Sequence, residues 1–456
     1  MGREKLGSRL GFILLSAGCA IGIGNVWKFP YIVGQNGGGI FVVIYLIFLA
    51  ILGIPVMTME FALGRASQKS PIKMYQELEP KGTYWHIHGK AALIGSYLLM
   101  MFYTTVAGWM IRYFVSTASG ELSGLNSSEI GAHFESVLAN APMMIFYLAI
   151  VMGMAVLVCS IGLKNGLERV TKLMMSALII IMVVLAVNSF FMKGGREGLA
   201  FYLKPNFEEV KKVGIGSIVV NAMNQAFFTL SIGMGAMAIF GSYIGKERAL
   251  LSESVNVALL DTFVAISSGL IIFPACFAYG VDVDSGPRLI FITLPNIFNN
   301  IPLGRLWGSL FFVFMSFAAL STVLAVFEEI SACTEDQFGW SRKKSCSING
   351  ILIFVLSIPC CLGFNVLSGF QPMGEGTSIL DLEDFIVSNI ILPLGSLSVI
   401  LFCTTKKGWG WENYLNEVNT GKGMKLKGFV KGYFSYILPV LVIFVFVIGL
   451  IRTFAK

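Results

Sequence analysis

The sequence predicts an all-α polytopic membrane protein, and three observations carry that prediction. Of 456 residues, 55% are hydrophobic and 13% charged, with a mean hydropathy of +0.77. That is too apolar for a soluble core and long enough for roughly ten or more spans. Apolar runs recur along the whole chain, at about 10–34, 39–63, 89–117, 142–161, 166–192, 214–243, 251–280, 306–333, 348–368, 383–404 and 432–453. Each reaches the roughly 17–25 residues that a helix needs to cross a bilayer, which gives about eleven transmembrane helices. The first and sixth runs are interrupted by glycine and polar residues, and this predicts broken helices 1 and 6 at matching places in two halves.

Taken in order, Met1 to Arg9 is charged and the run that follows has no small-residue cleavage site, so no removed signal peptide is expected. The first run contains Ser16 to Pro30, where Gly18, Gly22 and Gly24 leave helical geometry at the least cost. Backbone that stops being helical at membrane depth is tolerated only where protein buries it or where it lines a watery cavity. Its freed amides and carbonyls can then bind a ligand. Asn25 and Lys28 in the same turns favour a site over simple close packing, the other use of glycine in membrane helices. The sixth run repeats the device between Asn224 and Gly235. Paired interruptions point to an inverted repeat with its site at the midplane. The chain therefore reads as one transporter domain, 1–456, a five-plus-five inverted repeat with halves at about 10–192 and 214–404 and an additional helix at 432–453.

Lysine and arginine gather in the N-terminus (Arg3, Lys5, Arg9) and in alternate connections: Arg65 to Lys90, Lys164 to Lys172, Lys246 to Arg248, Arg342 to Lys344 and Lys406 to Lys431. The positive-inside rule places these segments, and the N-terminus, in the cytoplasm. An odd number of spans then leaves the C-terminus outside. Pro287 to Pro295 is apolar but too short to cross, and reads as a re-entrant or capping helix.

The net charge of +7 resides in those connections, where it orients helices; nucleic acid is excluded as a partner and the lipid bilayer is implied. Eight cysteines (Cys19, Cys159, Cys276, Cys333, Cys346, Cys360, Cys361, Cys403) fall in or beside apolar spans without a disulfide framework, and read as small buried hydrophobes. His86, His88 and His133 form no ligand-like cluster. An enzyme would need a nucleophile–base pair or a metal cluster, whereas Glu60, Asp261 and Asp384 are scattered, so no catalytic residue is assigned. A channel would share the polar midplane groups but needs no latch on each side of one site.

Gly11 to Pro30, Asn36 to Gly39, Ile54-Pro55 with Glu60 and Gly64-Arg65, Phe227 to Gly235, and Leu380 to Phe385 resemble the neurotransmitter:sodium symporters. The eleven-span layout is similar to bacterial members that carry tyrosine, tryptophan or other hydrophobic amino acids. The resemblance implies a sodium-driven symporter in the bacterial inner (plasma) membrane, importing a hydrophobic or aromatic L-amino acid by alternating access. Two alternatives stay open on the same fold: a non-transporting amino-acid sensor, and a proton-coupled transporter in which Asp261 titrates.

Residue by residue, the resemblance implies one sodium site at Ala20, Asn25, Thr229 and Asp261, where the family often has asparagine in place of Asp261. A second falls at Gly18, Ile21, Ala318, Ser321 and Thr322. Hard oxygen ligands suit such a cation, and no organic cofactor is implied. Chloride-dependent relatives would use Tyr45, Gln225, Thr229 and a serine at Ala265; Ala265 lacks the hydroxyl and Asp261 supplies a fixed negative charge, so no chloride is expected. Gly22 stands where monoamine carriers have aspartate, leaving room for a substrate carboxylate that would meet Ile23, Gly24, Tyr103 and the first sodium ion. The ammonium would meet carbonyls near Ala20, Phe228 and Ser231. Leu99, Phe228, Met234, Thr322 and Val326 would complete the pocket, with the Met234 thioether yielding to ligands of different size.

The outer gate implied is Lys28 with Asp384 above Phe228 and near Gln225; the inner gate is Arg3 with Asp336, and Tyr243 alongside. Lysine replaces the family's common arginine at Lys28 and lacks its fork, so the outer latch is expected to be looser. Leu6 stands where many relatives have tryptophan. Helix 5 has Gly166 but Ser176 in place of the family's proline, which puts unwinding there in doubt.

Overall fold

The computed structural model describes residues 4–192, 194–205, 207–280 and 288–454. Lipid offers no partner to backbone amides, so the chain satisfies them within helices. The first span is a bent pair, α1 (Arg9–Ala20) and α2 (Gly24–Gln35), meeting at 58°. There follow α3 (Gly39–Ser67), the short α4 (Pro71–Leu78), α5 (His86–Ser119), α6 (Ser127–Ala139), α7 (Ala141–Ser160) and α8 (Leu163–Phe190). Short helices α9 (Gly195–Leu203) and α10 (Phe207–Val213) lead to α11 (Ile215–Thr229) and α12 (Ala236–Gly241). The remainder is α13 (Leu250–Ala278), α14 (Leu289–Asn299), α15 (Gly304–Phe338), α16 (Arg342–Leu362), α17 (Ile379–Thr404), α18 (Trp411–Val418) and α19 (Gly428–Thr453).

Among the described residues nine helices are long and apolar enough to cross a membrane, and the α1–α2 pair makes ten. The sixth predicted span is α11 and α12, neither of which crosses by itself; their interruption falls where the polar and glycine residues stand. The predicted capping helix is α14, although 281–287 lies outside the described residues. Its Phe291 stacks on Phe134 of α6 at 4.9 Å and meets Tyr113 of α5 edge-on at 4.8 Å, so an aromatic cluster closes one end of α5.

The buried centre is formed by α5 and α15, with 83% of the apolar window of α15 inside the protein. Small residues bring α12 against α3: a Cβ on Gly64 would stand 1.8 Å from the Ala238 carbonyl, and one on Gly241 2.5 Å from that of Phe61. The end of α3 is tied down by the buried Arg65. Its Nε donates to Glu417 Oε1 on α18 at 2.5 Å, Nη1 to the Arg248 carbonyl at 2.6 Å, and Nη2 to the Glu417 carbonyl. All eight cysteines are buried and none is in a disulfide. The helix α8 opens with a wide π turn at Leu163–Glu168 and then runs as regular helix from Arg169 to Phe190. There is no unwinding around Ser176, whose backbone keeps its helical bonds.

Candidate functional site

The site is built where α1 stops. Ile21 takes an extended conformation (φ −72°, ψ 92°), and Gly22 N donates to the Asn25 side chain at 3.3 Å. Asn25 Nδ2 donates to Asp261 Oδ1 on α13 at 2.7 Å, and Thr229 Oγ1, the last residue of α11, donates to Asp261 Oδ2 at 3.1 Å. Asp261 is fully buried. A carboxylate inside a membrane protein is costly without a partner, and here two neutral groups from two broken helices hold it. Ala20 is the last residue of α1.

A second oxygen cluster joins α1 to α15. Ser321 Oγ lies 2.9 Å from the Ala318 carbonyl and 3.4 Å from that of Ile21. Thr322 Oγ1 lies 3.4 Å from the carbonyls of Gly18 and Cys19 and 3.5 Å from that of Ala318. The Ser321–Ala318 contact is an ordinary bond back to its own helix, and the other four separations are long for hydroxyl hydrogen bonds. Neighbouring ligands of a hard cation with oxygen bonds of about 2.3–2.6 Å stand about 3.3–3.7 Å apart when at right angles. The four longer separations fall in that range, so these oxygens could hold a cation. Cys19 contributes a carbonyl that sequence reasoning left out.

Between the two clusters, the Ile23 amide donates to Tyr103 Oη of α5 at 2.9 Å. A Cβ on Gly22 would lie 2.4 Å from that oxygen and 3.0 Å from Thr322 Oγ1, and one on Gly24 would lie 3.2 Å from the Phe228 ring. These glycines let the unwound backbone approach the site. Leu99, Met234 and Val326 are buried in one apolar cluster, and Phe228 packs against it. Met234 is framed by Gly233 and Gly235 at φ +103° and +101°, a left-handed geometry that favours glycine. Ser231 takes φ +50° and its hydroxyl lies 3.5 Å from the Cys19 carbonyl. Glu60 of α3 accepts from the Gly233 amide at 2.6 Å and so secures the interruption between α11 and α12.

On one side a cavity of about 250 Å³ reaches Phe228, lined also by Lys28, Asn224, Gln225 and Asn389. Lys28 and Asp384 form no ion pair: Lys28 Nζ stands 3.9 Å from the Phe228 ring centroid, while Asp384 accepts from Ser388 at 2.7 Å. A flexible point charge gains as much from a ring face as from a distant carboxylate and keeps its water. Both polar ends of the Gln225 amide are buried and unbonded.

The opposite side is closed. Tyr243 donates to Glu328 Oε1 at 2.6 Å, Arg342 binds both oxygens of Glu328, and Asp336 accepts from the Ser70 amide at 2.7 Å. Leu6 N donates to the Tyr243 carbonyl at 3.2 Å. Arg3, the predicted partner of Asp336, lies outside the described residues. Glu328 and Arg342 were missed; adjacent acids inside the apolar run 306–333 were the available signal.

Comparison with known proteins places this geometry. A model of the sodium:neurotransmitter symporter family matches residues 3–133 and 132–456. The chain is 35% identical to the sodium-dependent transporter YhdH of Bacillus subtilis, over 97% of each chain. It is 29% identical to a sodium-dependent transporter of Haemophilus influenzae, over 98% of each. The crystal structure of MhsT in complex with L-phenylalanine superposes with a TM-score of 0.88 at 37% identity, covering 98% of this chain and 100% of that one. The chain is a multi-pass membrane protein, and by these matches it belongs to the sodium:neurotransmitter symporter family, a family of sodium-dependent transporters and not of enzymes.

Proposed function

We propose that this symporter imports a hydrophobic or aromatic L-amino acid together with sodium, at the break between α1 and α2, without chloride. The observation that carries the reading is the convergence of Asp261, Asn25 and Thr229 beside an amide–hydroxyl pair, Ile23 and Tyr103. The first group offers hard oxygens and one negative charge to a cation. The second offers an amide and a hydroxyl to a carboxylate at the positive end of a half-helix. A zwitterion therefore finds an anion subsite, and carbonyls near Ala20, Phe228 and Ser231 face its ammonium. Leu99, Met234 and Val326 supply apolar walls, in keeping with the L-phenylalanine bound by MhsT.

The second cation falls to Gly18, Ile21, Ala318, Ser321 and Thr322. Because these ligands come from both α1 and α15, a cation there ties the moving half-helix to the buried centre. Loss of it at the closed side frees α1. Asp261 makes chloride redundant, since its carboxylate already supplies the negative charge beside Thr229, and Ala265 offers no hydroxyl. The charge pattern of the connections supports a cytoplasmic N-terminus and an external C-terminus, and the paired breaks support repeat halves at about 10–192 and 214–404.

The test is uptake of labelled L-phenylalanine, tyrosine, tryptophan and leucine into proteoliposomes, with an inward sodium gradient, a potassium control and gluconate in place of chloride. Sodium-driven uptake that ignores gluconate is expected. A chloride requirement would overturn the role given to Asp261, and absence of uptake under every gradient would overturn the substrate class.

A further inference from the structure

Glu329 takes no part in the sites above, and its surroundings suit a neutral acid. It stands on α15 with no exposed surface. Its Oε1 lies 3.0 Å from Ser96 Oγ on α5, and the same hydroxyl lies 3.1 Å from the Ala92 carbonyl one turn earlier. Ser96 has one proton for two acceptors. An ionised Glu329 leaves one of these contacts without a hydrogen. A protonated Glu329 satisfies both, its O–H donating to Ser96 Oγ and the Ser96 hydroxyl donating to Ala92. The other carboxyl oxygen, Oε2, is buried with no hydrogen-bond partner, which a neutral carbonyl oxygen tolerates far better than an anion does.

The charges nearby do not favour an anion. Glu60 of α3, which accepts from the Gly233 amide, is the neighbouring acid, and Cys19 of α1 is a buried thiol that brings no charge. Tyr75 of α4 is a buried phenol and brings no charge. Glu328, its neighbour in sequence, turns to Tyr243 and to Arg342 of α16, and Cys159 of α7 faces Glu328 as well. On α8, Glu168 and Lys172 hold each other. Among the described residues no lysine, arginine or histidine pairs with Glu329, and the nearest acidic partner would repel its charge.

The position gives the proton a consequence. A Cβ on Gly235 would lie 3.5 Å from Glu329 Oε1, so the carboxyl stands against the Gly233-Met234-Gly235 turn, which Glu60 also holds through the Gly233 amide. This turn separates α11 from α12 and carries two left-handed glycines. We propose that Glu329 is a proton-binding site of the transporter, holding a proton while the inner side is closed and releasing it when movement of α12 admits water. The O–H bond breaks toward cytoplasmic water and the carboxylate stays behind, hydrated. Cytoplasmic pH then sets the ease of inner opening, a statement that rests on the symport reading above.

The test uses the full chain in proteoliposomes. Infrared spectra should show a neutral carboxylic acid band that is lost in Glu329→Gln and shifted in Ser96→Ala, which removes the hydroxyl partner but keeps the carboxyl. With labelled L-phenylalanine, a sodium gradient and fixed external pH, raising internal pH by about two units through the carboxyl range should speed wild-type uptake several-fold. Glu329→Gln should stay at the slow rate throughout. A carboxylic acid band unchanged in both variants overturns the site, and wild-type uptake indifferent to internal pH overturns its link to inner opening. If sodium drives no uptake in any variant, the transport reading fails, while the band still decides the site.

Discussion

Asp261 carries the one fixed charge of the proposed ion site, and its two neutral donors explain why it tolerates burial. Each bond to a charged group contributes about 1.5–3 kcal/mol, so Asp261→Asn is expected to raise the sodium concentration for half-maximal uptake by about 10–100-fold. Sodium titration of uptake checks this, and an unchanged midpoint would remove Asp261 from the ion site. The variant keeps the Thr229 and Asn25 contacts in shape, so failure to fold is not the expected outcome. Gly22 makes a second claim at the same scale. A methyl there meets Tyr103 Oη at 2.4 Å and Thr322 Oγ1 at 3.0 Å, and one of them has to move. Gly22→Ala should therefore lower amino-acid affinity at least about tenfold, the loss of one good hydrogen bond. Scintillation-proximity binding in saturating sodium measures it, and wild-type affinity would argue that the substrate lies elsewhere.

At the scale of helices, what was legible followed from the cost of polar groups in lipid. Glycines beside Asn25 marked the α1–α2 break, and Asn224 to Gly235 marked that between α11 and α12, because only a broken helix gives such residues a use at membrane depth. The Lys28–Asp384 latch was read from the types of residue alone. A lysine stem reaches several partners of similar merit, and sequence does not rank a ring face against a carboxylate. Glu328 and Glu329 disappeared into the average hydropathy of a long apolar run, and their partners lie on other helices. The Arg65 clamp was invisible for a related reason: its acceptors Arg248 and Glu417 are 183 and 352 residues away. Breaking a buried pair from one side costs about 3–5 kcal/mol. Arg65→Ala, and to a lesser degree Arg65→Lys, which loses the three-way fork, should lower the thermal midpoint of the detergent-solubilised protein. A midpoint within error of wild type would show that α18 is not held by this residue.

For the molecule as a whole, the contacts describe one end of a transport cycle: a cavity descends to Phe228 from one face while Leu6, Ser70, Tyr243, Glu328, Arg342 and Asp336 close the other. Ligand binding is expected to pull α2 and α11 together over the site, because Lys28, Phe228 and Gln225 line that cavity and neither Lys28 nor Gln225 has a hydrogen-bonded partner there. The native cysteines offer a clean background for observing this, since all eight are buried. Asn389→Cys places one thiol on the cavity wall contributed by α17. In right-side-out vesicles a membrane-impermeant maleimide should modify it readily in sodium alone and several-fold more slowly once L-phenylalanine is added with sodium. Replacing sodium by potassium should abolish the protection, because closure then lacks the cation proposed to tie α1 to α15. Equal labelling with and without amino acid would mean that this cavity is not the outer path, and labelling confined to inside-out vesicles would reverse the orientation deduced from the basic connections.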